Sequence, residues 1–124
     1  MSSSDSSSDL LSAFQGLLQH VQTLQQLLQA PAASPQTLRE QVQALQKFVQ
    51  FQIIPLKPQG LPLSSRSRLQ AIQTELSKQI RLINMGVLFL QTARQPETWQ
   101  KRIGQLDDRL AQVQTYCQVI LEGF

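Results

Sequence analysis

Apolar residues recur along this chain at alternating steps of three and four, the spacing of one stripe on an α-helix. Leu10, Phe14, Leu17, Val21, Leu24 and Leu28 form a first unbroken seam, with Gln15, Gln19, Gln22, Gln25, Gln26 and Gln29 on the other face. Leu38, Val42, Leu45 and Val49 form a second, widened by Phe48 and Phe51. The third runs through Leu69, Ile72, Leu76, Ile80, Ile83, Val87 and Leu90. Trp99, Ile103, Leu106, Leu110, Val113, Cys117 and Ile120 continue the pattern as a fourth.

Prolines separate the seams. Pro31 cannot continue the first helix, and Ser34-Pro35 supplies a cap followed by proline at the first helical position of the second. The second helix ends at Ile54-Pro55. The linker PLKPQGLPLSS is expected to be extended and semi-rigid, and it leaves open which end of the bundle the third helix starts from. That helix is expected to start at Ser64 or Ser65. At Pro96 the phase of the seam decides between one kinked helix and two. Extending the Val87–Leu90 line would place Arg94, Glu97 and Lys101 among apolar positions, whereas a new seam restarts at Trp99. A tight turn at Arg94-Gln95-Pro96 therefore separates helices three and four, and Gly123 ends the last one. The expected fold is all-α, a four-helix antiparallel bundle with Pro-rich linkers and no sheet. Residues 10–124 form its single domain, preceded by a disordered Ser/Asp tail at residues 1–9.

The third helix carries more apolar surface than one seam needs. Leu82, Met85 and Phe89 make a second stripe, roughly 150° around the helix from the first. A helix apolar on two sides must be covered on two sides. The bundle supplies one cover. For the stripe, one alternative is simply a wide core and the other is an interface, either with a second copy in a homodimer or with a partner.

Composition sharpens this picture. Charged residues make up only 15% of the 124, and about one residue in five is Gln, a good helix former. The net charge is +3 and unevenly placed: no Lys or Arg precedes Arg39. The single cysteine rules out an intramolecular disulfide and favours a reducing compartment. MSSSDSSSD lacks the basic and apolar regions of a signal peptide, and no apolar run is long enough to span a bilayer. A cytoplasmic protein is expected.

No catalytic constellation is present, and neither enzyme activity nor a metal or cofactor is expected. His20 flanks the first seam alone, Cys117 lies on a seam as a small buried thiol, and Asp107 and Asp108 point about 100° apart on a helix. The basic residues of helices three and four are the remaining chemistry. Arg81, Arg94, Lys101 and Arg102 cluster around the Pro96 turn or the middle of helix three and are the candidate contacts for an acidic protein partner. Their dispersal, with aromatics serving apolar faces, disfavours nucleic acid.

The second half resembles a known family. The strings TELSKQIRLINMGVLFLQTARQPETWQKR and DDRLAQVQTYCQVIL, over roughly residues 65–122, are similar to the cyanobacterial PatD family of heterocyst frequency control proteins. The resemblance implies a regulator that influences heterocyst frequency and modulates assembly of the tubulin-like division protein FtsZ. The rival readings are a general helical adaptor and a small nucleic-acid-associated regulator.

Overall fold

The computed structural model describes residues 3–30 and 34–123, with side chains from Ser8 onward. Four α-helices account for nearly all of it: α1 (Ser3–Gln29), α2 (Pro35–Phe48), α3 (Leu63–Thr92) and α4 (Pro96–Gly123). Among the described residues there is no strand. The seams become the core almost residue for residue. Every seam position from Leu10 to Leu28, from Leu38 to Val49 and from Leu69 to Leu90 is buried. The fourth differs at its start: Trp99 and Ile103 are only partly buried, and full burial begins at Leu106.

Each helix packs on two neighbours in a closed ring, α1 on α2 and α4, and α3 on α2 and α4. Side-chain pairs fix the antiparallel sense. Asn84 Nδ2 donates to Gln46 Oε1 at 2.7 Å, while Gln73, earlier in α3, reaches the carbonyls just after α2. On the other side Gly86 lies against Leu106, and Arg68 Nη1 donates to Gly123 O at 3.3 Å. Gln25 Nε2 donates to Gln114 Oε1 at 3.0 Å and ties α1 to α4. The question the linker left open is thereby answered: α3 starts at the end of the bundle where α2 finishes.

The local starts and stops follow familiar chemistry, with exceptions. Ser34 Oγ accepts from Thr37 N at 3.1 Å, with Pro35 opening α2. Helix α3 begins at Leu63, just before the expected serines, because Pro62 already has its carbonyl in the helix and accepts from Arg66 N at 3.0 Å. Helices α3 and α4 are separate, joined by Ala93–Gln95, as the phase argument requires. Gly123 is the last residue of α4. The expected stop at Pro31 lies outside the described residues.

Two expectations are corrected. The Ser/Asp segment is not an unstructured tail from residue 3 onward, since α1 already begins at Ser3; residues 1–2 lie outside the described residues. The second correction concerns Phe51, which does not widen the buried face of α2 but is 65% exposed. After Phe48 the helix opens into a π-turn, Val49–Ile53, closed by Ile54 N donating to Val49 O at 2.9 Å. The wider turn brings Ile53 back into line with Val49, so Ile53 is buried while Phe51 points outward.

Candidate functional site: an apolar groove between α3 and α4

The second stripe of α3 is only half covered by the bundle. Leu82 is partly buried, but Met85 is 45% and Phe89 47% exposed, joined by Leu88. Leu82, Met85 and Phe89 form one wall of a groove whose opposite wall is α4. Leu82, Met85, Gly86 and Phe89 face Arg102, Gln105, Leu106 and Arg109 across it. Gly86 sets the floor. A Cβ there would stand 2.7 Å from Leu106 Cδ2, so the glycine lets α3 and α4 approach closely at this level. The enclosed space is about 150 Å³, room for a side chain or two and well short of the 300–1,000 Å³ of small-molecule sites.

The groove unites two sets of residues that sequence reasoning kept apart. The Arg102 guanidinium lies over the Phe89 ring, 5.1 Å from its centroid, in a cation–π contact. A candidate partner contact and a candidate self-association residue thus form one feature. The other three basic candidates are exposed and outside the groove lining: Arg81 on α3, Arg94 in the turn and Lys101 on α4. Arg81 is one helical turn before Met85, and Lys101 one turn before Gln105, which places both on the rim. Arg109, not among the candidates, lines the groove itself. Its spacing of seven from Arg102 was the available signal. Toward Gln112 the groove continues into a more open, polar cleft lined by Gln79, Gln105, Asp108, Arg109 and Gln112.

A second exposed apolar patch lies elsewhere. Phe51 with Phe48, Pro55 and Leu56 faces Asp9, Ser12 and Ala13 of α1. In the ring of helices the α1/α2 side is opposite the α3/α4 side. The patch also sits where α1 begins and α2 ends, away from the Pro96 turn.

The other titratable candidates are structural. Cys117 is buried, and burial pushes its thiol up to about 12, which removes it as a nucleophile near neutral pH. The His20 ring packs on Phe48, centroids 4.8 Å apart, at the flank of the first seam. Among the described residues no cluster of His, Cys, Asp or Glu could hold a metal ion, and no helix is long and apolar enough to cross a membrane.

The sequence profile of the CRR41 C-terminal domain matches residues 8–118. The chain belongs to that family. As a CRR41 C-terminal domain it presents both the α3/α4 groove and the Phe51 patch within the matched span, which runs from the early turns of α1 to near the end of α4. No curated protein and no solved structure matches this CRR41 C-terminal domain.

Proposed function

We propose that this domain is a non-enzymatic, cytoplasmic regulator that binds a protein partner through the α3/α4 face. By resemblance to the PatD family the partner is FtsZ, whose assembly it modulates, with a link to heterocyst frequency in filamentous cyanobacteria. The observation that carries the binding role is the half-exposed stripe of Leu82, Met85 and Phe89, held open beside basic residues. Its exposed members belong to one contiguous apolar patch, the kind of surface that marks interaction sites. FtsZ itself comes from the strings shared with the PatD family, and FtsZ-type proteins are generally acidic, which suits the basic rim. Bridging is the mechanism favoured. A chain touching two protomers raises their effective concentration without new chemistry, and the Phe51 patch on the opposite side is a natural second contact.

The test is FtsZ assembly with GTP, followed by light scattering and pelleting, using FtsZ from the same organism. Wild-type protein should change the extent of assembly. Reversing Arg81, Arg94, Lys101 and Arg102 should weaken the effect, more at low salt than at high salt. No effect of the wild type would remove FtsZ as the partner. Full activity after reversing all four would remove the basic rim as the contact.

A further inference from the structure

We infer that the α3/α4 groove takes an acidic amphipathic helix from a partner protein, and not a second copy of this chain. The inference rests on the proposed binding role of this face and specifies what binds there. The first ground is shape. Leu82, Met85 and Phe89 span two helical turns along the groove, with Gly86 and Leu106 as its floor. That spacing matches apolar anchors at i, i+3 or i+4, and i+7 on a docking helix.

Charge is the second ground. Arg102 and Arg109 line the groove, and Lys78, Arg81 and Lys101 are exposed one turn before Leu82, Met85 and Gln105. Against them stand Asp108, in the open cleft beyond, and Glu97, one turn before Lys101. The face is therefore net positive. A two-fold dimer would set the same patch against itself, so these basic groups would oppose their own copies. Like charges brought together across an interface oppose association, whereas carboxylates flanking an apolar stripe complement this rim.

Unfinished hydrogen bonding is the third ground. Among the described residues the buried side-chain polar atoms without a partner are Gln79 Oε1 and Arg102 Nε. Both residues line this one continuous cleft, Gln79 in its polar part and Arg102 in its apolar part. Buried polar groups are normally paired. Arg102 Nε–H, beside the Phe89 ring, is left an acceptor short, and a carboxylate supplies one with matching charge and geometry. Gln79 Oε1 is itself an acceptor and calls for a donor, so it does not bear on the sign of the partner's charge.

The test pans a displayed library of random peptides, each of about 16 residues or four helical turns, against the full chain. Recovered peptides should carry apolar residues at i, i+3 or i+4, and i+7, flanked by Asp or Glu. One of them, labelled, should bind by fluorescence anisotropy. Met85→Ser and Phe89→Ser should each weaken binding by about tenfold or more, a change of about 1.4 kcal/mol. Arg102→Gln should weaken it and flatten its salt dependence. Leu63→Ser, at a 77% exposed position at the other end of α3, should leave binding unchanged. Circular dichroism melts check that each variant is folded, as expected at half-exposed positions. Peptides that are neutral or basic, or binding indifferent to Phe89→Ser in a folded variant, would overturn the proposal. So would a wild-type dimer that Phe89→Ser dissociates, or Arg102-dependent binding of duplex DNA with no peptide recovered. The FtsZ reading fails separately: FtsZ assembly equally sensitive to wild type and Phe89→Ser removes the groove alone, and acidic peptides bound without any effect on FtsZ remove FtsZ alone.

Discussion

Gln73 holds together a junction that the backbone cannot satisfy by itself. The π-turn and Pro55 leave carbonyls at the end of α2 without helical donors. From α3, Gln73 Nε2 donates toward Ile53 O at 3.1 Å and Leu56 O at 3.0 Å, with Ile54 O at 3.4 Å. Gln73→Leu keeps the size but deletes the donors, and should cost about 1–3 kcal/mol, chiefly by leaving the part-buried Leu56 O unpaired, since Ile53 O keeps Leu56 N as a donor at 3.1 Å. Urea unfolding measures it, and a loss below a few tenths would mean water replaces the amide. Cys117 offers a pH signature. Burial raises its thiol from an ordinary 9.0 to about 12, so between those values the unfolded chain gives up a proton that the folded chain keeps. The associated stability is fully present below pH 9.0 and is lost as pH rises toward about 12. Cys117→Ala should lower stability at neutral pH and remove this part of the alkaline decline, as read from urea midpoints at pH 8 and pH 10.

At the level of elements, two glycines inside helices separate propensity from packing. Gly104 in α4 has nothing within 4 Å of where a Cβ would stand. Gly104→Ala should therefore stabilise by about 0.5–1 kcal/mol. Gly86→Ala meets Leu106 and should forfeit most or all of that gain, while Gly86→Ala combined with Leu106→Ala should recover part of it relative to Leu106→Ala alone. Thermal melts of the four variants decide. The same elements show what a sequence can reveal. Helix number, the Ser34 cap and the buried seams were legible because each depends on local period and local chemistry. The π-turn at Val49–Ile53 was not, since a one-residue phase shift is hidden where Ile53 and Gln52 both fit the seam spacing. Nor was the reach of Gln73 to α2, or the seating of Arg102 on Phe89, because both require the register of one helix against another. The apolar stripe was legible as excess hydrophobicity, but not its position beside a positively charged wall.

On the scale of the whole molecule, most contacts in the ring join helices consecutive in sequence. The α1/α4 seam is the exception, where Gln25 and Gln114 meet across 89 residues of chain. Closing so long a loop costs more entropy than closing the short turns within each hairpin. The α3–α4 hairpin, joined by a short turn and packed as extensively as any pair in the ring, is therefore the natural cooperative unit, and the molecule should breathe by parting α1 and α2 from it before it melts. Native-state hydrogen exchange at low urea should show the amides of α3 and α4 behaving as one group with a common opening free energy. Gln25→Ala should raise the frequency of parting more than that of melting within the α3–α4 hairpin, and a uniform effect on every core amide would argue for a single indivisible unit. Because both walls of the Phe89 groove belong to one hairpin, a molecule caught mid-opening would keep its grip on a partner while its own core is briefly wet.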